Sequence, residues 1–167
     1  MLTEAGVEFT VIPSPADEIH DVNMPLHQLC EENARLKAVA VSKNHPSAIV
    51  IGADTLVYID QTPLGKPKSK QEAVETLSKL SGRSHQVCTG VCLATGDKID
   101  SFHVITEVVF KDLTPQLIND YMSKVDVMDK AGSYAVQEHG DMIVAELSGD
   151  YDNVVGLPMK ELLRRLA

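Results

Sequence analysis

The chain has no run of basic residues anywhere. Its 15 Lys and Arg stand against 24 Asp and Glu, a formal charge of −9 over 167 residues. Such a surface repels a phosphate backbone, so sequence-independent binding to a nucleic-acid polymer is not expected. A divalent ion would still let an acidic cleft accept an anionic small molecule, because the ion dominates the local charge. Cysteine is scarce: Cys30, Cys88 and Cys92 cannot all pair, and their spacing makes no structural zinc pattern. They read as reduced core residues of a cytosolic protein. No apolar stretch is long enough to span a bilayer, and the first residues lack the basic-then-apolar pattern of a signal peptide, so neither a membrane partner nor export is expected. Internal repeats, low-complexity segments and a dividing linker are also missing, so residues 1–167 read as a single domain. There is no Walker-type loop and no dinucleotide fingerprint. The histidines show no metal-ligand spacing, and Cys88 and Cys92 fall in a buried-strand pattern that gives little support to a Cys/His nucleophile. What remains is an ordinary globular composition, 44% hydrophobic and 23% charged, in a chain long enough to bury a full core.

The apolar periodicity predicts an α/β fold built on a mixed sheet. Residues 1–6 read as the end of a helix stopped by Gly6, followed by a short strand over 8–12 that Pro13 and Pro15 break. A helix is predicted over 25–43, with Leu26, Leu29, Cys30, Leu36 and Val41 near one stripe, then a strand over 48–53. Ser69 and Glu72 form a capping-box pattern opening a helix to about Leu80, with Ala73, Val74, Leu77 and Leu80 inward. Val87, Val91 and Leu93 share one strand face, and Phe102, Val104, Val108 and Phe110 alternate likewise. These two runs predict a long hairpin around Thr95-Gly96-Asp97. Thr114 and Pro115 make an N-cap and first-turn pair, with Leu117, Ile118, Tyr121 and Val125 inward. A strand over 142–147 and a last helix from Pro158, with Met159, Leu162, Leu163 and Leu166 at helical spacing, complete the order.

The stretch AIVIGADTLVYIDQTPLGKP, residues 48–67, carries the strongest chemical signal. Its apolar run ends in Asp54, and ligands of open α/β sheets sit beyond the carboxyl ends of such strands. Asp54 reads either as a strand-end cap or as a metal ligand or general base held by rigid structure. Lys66 lies between Gly65, which allows close backbone approach, and Pro67, which stiffens the loop. Asp17 and Glu18 form an acidic pair in a loop that alone reads as a solvated turn, and Lys37 beside Arg35 reads as a solvent-facing helix charge. The small-residue turn at 129–134, with Tyr134, Gln137 and Glu138, presents amide groups suited to a ligand; Gln137 offers both a donor and an acceptor to a base edge. The segment 153–158 reads as structural.

Taken in order, IGADT at 51–55, LGKP at 64–67, LSGRSHQVCTGV at 80–91, DKAGSYAVQ at 129–137 and NVVGLP at 153–158 resemble the Maf family of nucleoside triphosphate pyrophosphatases. The resemblance implies a mixed, twisted sheet with flanking helices in a two-lobed fold with a central cleft, of the kind shared with inosine-triphosphatase-like proteins, often as a homodimer. It implies metal-dependent cleavage, with Mg²⁺ or Mn²⁺, between the α- and β-phosphates of a nucleoside triphosphate, and for some members a link to arrest of septum formation. Carried over by position, Asp54 matches a proton acceptor and, with Glu18, the metal's surroundings. Lys37 and Lys66 match cationic groups of the cleft, and Gln137 a specificity residue. Thr55 with Gln137 resembles the subgroup acting on dTTP and UTP. A metal held by carboxylates would polarise the phosphate, the lysines would offset charge on the leaving pyrophosphate, and Asp54 would activate water.

Three departures qualify that implication. Family members begin with a strand and a loop reading like LASxSPRR, ahead of a helix end resembling Leu2-Thr3-Glu4-Ala5-Gly6. Residues 1–167 start inside that helix, so the serine and paired arginines, groups well suited to phosphate, are absent from them. An exposed inner sheet edge is expected to follow. Ala135 and Glu138 stand where the family has Gly usually and commonly, respectively. Alternative readings are a catalytically impaired nucleotide-binding homologue and a division-linked interaction protein.

Overall fold

In a computed structural model, which describes residues 1–21 and 23–167, the expected α/β fold is present. The helices are α1 (Leu26–Ser42), α2 (Lys70–Leu80), α3 (Pro115–Lys124), α4 (Gly140–Ile143), α5 (Tyr151–Val155) and α6 (Met159–Leu166). The strands β1 (Val50–Ile59), β2 (Thr62–Leu64), β3 (Ser84–Thr95), β4 (Lys98–Phe110) and β5 (Val144–Ser148) form one sheet in the order β2-β1-β3-β4-β5. The β1–β2 and β4–β5 pairs are antiparallel, with Val57 opposite Leu64 and Val108 opposite Leu147. The chain divides into two compact units, Met1–Thr55 with Cys88–Val104 and Gly156–Ala167, and Leu56–Val87 with Ile105–Val155.

The second unit holds an apolar core built by α2, α3 and strand residues, including Leu77, Leu80, Val87, Phe110, Ile118 and Tyr121. Its helices start where the side chains predict. Ser69 Oγ accepts from the Glu72 amide at 3.1 Å and Thr114 Oγ1 from the Leu117 amide at 3.2 Å, each satisfying an otherwise orphaned first-turn donor. The Glu72 carboxylate turns back to the amide of Lys68 rather than that of the cap, at 2.8 Å. Asn153 is fully buried and donates to the carbonyl of Val87 at 3.0 Å and to Thr106 Oγ1 at 2.9 Å, in keeping with a structural part for its segment.

His85 places an imidazole against this core. It is 2% exposed, its Nε2 lies 2.9 Å from the Tyr134 hydroxyl, and its ring meets those of Phe110 and Tyr134 edge-on. Burial pushes its pKa down to about 4 from an ordinary 6.5. Between those two values the unfolded chain takes up a proton that the folded one refuses, so stability falls as pH drops through the window. The difference of about 2.5 units corresponds to roughly 3 kcal/mol when fully expressed. Urea unfolding near neutrality and near pH 4 should therefore show a smaller acid loss in His85→Gln than in the parent chain; equal losses would place the acid sensitivity elsewhere.

In the first unit, Val91, Leu93 and Phe102 pack with Met159 and Leu162 of α6, while Ala34 and Ala38 of α1 pack with Cys92 and Ala94. Cys30, Cys88 and Cys92 are buried and none is in a disulfide, as expected. The buried stripe of α1 keeps Leu29, Cys30 and Val41 as predicted but differs from prediction in the rest. It runs through Leu29, Cys30, Asn33, Ala34, Ala38 and Val41, while Leu36 is only partly covered. Small residues win because the helix backbone lies directly on two strand glycines. A Cβ at Gly52 would sit 2.3 Å from the Ala34 carbonyl oxygen, and one at Gly90 2.4 Å from that of Cys30.

Other boundaries differ as well. The first residues make a single turn closed by Gly6 at φ 73°, with the Val7 amide donating to the carbonyl of Leu2 at 3.0 Å. Residues 8–12 are not in a strand. β2 pairs only with Val57–Ile59 of β1, so the first half of β1 has no strand on that flank among the described residues. A cavity of about 1130 Å³ runs along this flank, lined by residues 7–12 and 48–53 together with Leu157 and Leu166. Phe9, Val11, Ile12 and Ile49 are exposed beside or within it. β5 begins at Val144, two residues later than predicted, because Gly140–Ile143 forms a turn of helix. Leu163 faces solvent at 37% exposure, so only Met159 and Leu162 of the expected α6 stripe are fully buried.

Candidate functional site

Asp54 lies in the middle of β1, not at a strand end, which corrects the sequence expectation. The strand runs on through Thr55, Leu56, Val57, Tyr58 and Ile59, a β-branched and aromatic stretch with its own burial. The carboxylate does not end the strand because α1 satisfies it. Close approach at Gly52 brings α1 against β1 two residues before the acid, and Lys37 and Asn33, one helical turn apart, reach it.

Lys37 Nζ donates to Asp54 Oδ1 at 2.7 Å and to the carbonyl of Ala53 at 3.3 Å, and it pairs with Glu18 Oε1 at 2.7 Å. These three acceptors match its three N–H donors. The sequence reading of Lys37 as a solvent-facing charge is thereby replaced: the side chain is 24% exposed and sits between two carboxylates. Burial lowers its pKa, but the hydrogen bonds to Asp54 and Glu18 together outweigh that effect and raise it above the ordinary lysine value. Lys37 is thus a fixed cation at any physiological pH. Asp54 is 8% exposed while Glu18 is 45% exposed, so the acids differ in access to water.

The second contact to Asp54 is not legible in the sequence as a site residue. Asn33 is 2% exposed, and its Nδ2 lies 3.4 Å from Asp54 Oδ2. Its only sequence signal is a polar residue on the apolar stripe of α1, four positions before Lys37. Thr55 Oγ1 lies 2.9 Å from Thr89 Oγ1, another partner that spacing does not indicate.

Glu18, Lys37 and Asp54 are therefore brought together, with Thr55 next to Asp54, all in the first unit. Lys66 and Gln137 belong to the second unit. Both are exposed. Gly65, just before Lys66, accepts from the amide of Gly132 at 3.2 Å, which ties the LGKP loop to the DKAGSY turn. That turn is shaped by Gly132 at φ 70° and Ser133 at φ 61°; a Cβ at Gly132 would lie 2.8 Å from Val57 Cγ1. Lys130 pairs with Asp129 at 3.0 Å and with Glu138 at 3.6 Å.

Two converging carboxylates supply hard oxygen donors of the kind Mg²⁺ and Mn²⁺ accept. Among the described residues no group of three or more His, Cys, Asp or Glu is arranged to hold a metal. Both carboxylates already share the Lys37 ammonium, so an ion held by Glu18 and Asp54 would need further oxygens from waters or a ligand.

The family described as Maf-like protein matches residues 1–167. The chain is 48% identical over 166 residues to a protein of Akkermansia muciniphila called dTTP/UTP pyrophosphatase, covering 99% of this chain and 88% of the relative. A Bacillus anthracis protein of the same name is 42% identical, covering 99% of this chain and 87% of the relative. A Bacillus cereus protein, again with that name, is 40% identical, covering 99% and 82%. With a family match along its whole length and relatives at this identity, the chain belongs to the Maf-like protein family.

Proposed function

We propose that this chain hydrolyses nucleoside triphosphates, dTTP and UTP foremost, to the monophosphate and pyrophosphate. The observation that carries the reading is the Glu18–Lys37–Asp54 cluster, a mostly buried acid and an exposed one sharing a single ammonium. The names of the relatives support both the reaction and the pyrimidine preference.

In this reading Asp54 is the general base. Its carboxylate has about four lone-pair positions, so contacts from Lys37 and Asn33 leave room for a water. The water oxygen bonds to the α-phosphorus, its proton passes to Asp54, and the bond from the α-phosphorus to the α,β-bridging oxygen breaks, releasing pyrophosphate. The fixed charge of Lys37 offsets negative charge building on the phosphates, as does Lys66. Thr55 and Gln137 bind the nucleoside, with Gln137 offering its amide to the base. Glu18 and Asp54 would hold a Mg²⁺ or Mn²⁺ ion that arrives with the nucleotide, and when bound it polarises a phosphoryl oxygen. The substrate in this reading is a free nucleotide of the cytoplasm.

The test is pyrophosphate release in Mg²⁺ with dTTP, UTP, CTP, GTP and ATP, repeated with excess chelator. Release should be fastest with dTTP and UTP and be lost on chelation, whereas folded protein with no turnover of any nucleotide would favour an impaired nucleotide-binding homologue. Gln137→Ala should flatten the preference among bases by about tenfold, the order of one lost hydrogen bond to a substrate. Unchanged relative rates would remove Gln137 from base recognition.

A further inference from the structure

We infer that Asn33 is a positioning residue for this site, setting the place of Glu18 and the orientation of Asp54 through one side-chain amide; the inference rests on the pyrophosphatase reading for its kinetic consequences, though not for its geometry. Asn33 Oδ1 accepts from the amide of Ile19 at 2.7 Å, and Asn33 Nδ2 donates to the carbonyl of the same residue at 3.2 Å. A primary amide that both accepts from and donates to one backbone residue fixes that residue in two directions, much as a neighbouring strand would. Ile19 follows Glu18 directly, so the clamp holds the loop just past the acid.

The loop is held at its other end too. Ser14 Oγ donates to the carbonyl of Lys37 at 3.2 Å and accepts from the amide of Ala16 at 3.2 Å. Residues 14–19 are therefore fastened to α1 at two points one helical turn apart, with Glu18 between them on Lys37. The ion pair itself holds Glu18 only weakly, since a pair with an exposed partner contributes little. The third Asn33 contact, to Asp54 Oδ2, opposes the Lys37 bond on Oδ1 and limits rotation of the carboxylate. A Leu at this position would suit the apolar stripe better, since a buried amide loses free energy unless its bonds are made. With its bonds made, the amide at 33 holds both acids from one point.

Three measurements test this on the full chain. In the unaltered protein, the Ile19 amide should exchange with solvent deuterium at least tenfold more slowly than that of exposed Asp17; equal exchange at the two would overturn the clamp whether or not the protein is an enzyme. Asn33→Ala should raise exchange across 14–19 and lower kcat by about 10- to 100-fold, the range seen when supporting groups of a site are removed. Asn33→Asp keeps the acceptor for the Ile19 amide but loses the donor to its carbonyl, so exchange across 14–19 should rise severalfold less than in Asn33→Ala. A packing role alone would lower the melting temperature and leave exchange across 14–19 as in the parent chain, and unchanged exchange there in folded, active Asn33→Ala overturns the inference while the pyrophosphatase reading stands. Should the parent chain release no pyrophosphate, the deuterium exchange still decides the clamp, and the failure belongs to the functional reading.

Discussion

Asp54→Asn is expected to lower kcat for dTTP by about 10³-fold, within the range that a positioned general base contributes. The two side chains are nearly the same size and shape, and the amide oxygen can still accept from Lys37, so the strand and α1 should keep their places. On the proposed reading the variant loses the basicity that takes the water's proton and a charged oxygen donor to the ion. Nucleotide affinity, measured by calorimetry with the metal left out, should change by less than about tenfold, because the lysines proposed to meet the phosphates are unaltered. Removing a carboxylate from the pocket even reduces repulsion against a polyphosphate. A folded Asp54→Asn with kcat within a few-fold of the parent would remove Asp54 from proton transfer.

Lys37→Met should damage both fold and activity. It takes the ammonium from Asp54, 8% exposed, whose remaining contact from Asn33 is a long one at 3.4 Å, and it leaves Glu18 facing that acid without a cation between them. Breaking a buried ion pair from one side costs about 3–5 kcal/mol. Lys37 and Glu18 are partly solvated, so about 2–3 kcal/mol is the reasonable expectation. Part of that loss should return in Lys37→Met with Asp54→Asn, because the orphaned charge is gone; this non-additivity identifies the pair as the cause. An additive double variant would assign the loss to packing of the lysine stem instead. In the parent chain the raised pKa of Lys37 means that its contribution is complete below the ordinary lysine value and is lost only as pH rises through the folded value. The charge of Lys37 should therefore be insensitive to pH through neutrality.

The legible parts of the fold are those governed by neighbours in sequence. Ser69 and Thr114 cap their helices as their spacing requires, and Gly96-Asp97 connects β3 and β4 where the alternation breaks. The illegible parts depend on residues far apart. Residues 8–12 have strand composition, but a strand exists only with a partner to bond to, and composition cannot supply one. Asp54 looks like a strand end because an acid in a buried run is costly, and nothing local reveals that Lys37 and Asn33 meet that cost from α1. Hydrophobicity finds Leu29, Cys30 and Val41 of the α1 stripe but also draws it through Leu26 and Leu36, whereas the close approach of Gly52 selects Ala34 and Ala38 opposite it.

The same distinction holds at the site. Asp54, Glu18 and Lys37 stand out through resemblance, each with a bland reading of its own; their convergence on one ammonium appears only in three dimensions. Asn33 leaves no chemical trace beyond a misplaced polar residue. Mid-strand placement also changes the argument for Asp54. The carboxylate is held by the sheet on both sides along the chain and by the helix from above, a more rigid support than a strand-end loop gives.

The most direct measurement of the central claim is the product balance from dTTP with Mg²⁺, following dTMP, pyrophosphate and orthophosphate in the same sample. Attack at the α-phosphorus predicts dTMP and pyrophosphate in equal amounts, with no dTDP, and the loss of both in Asp54→Asn. Orthophosphate with dTDP, or equal product from the Asp54 variant, would contradict it.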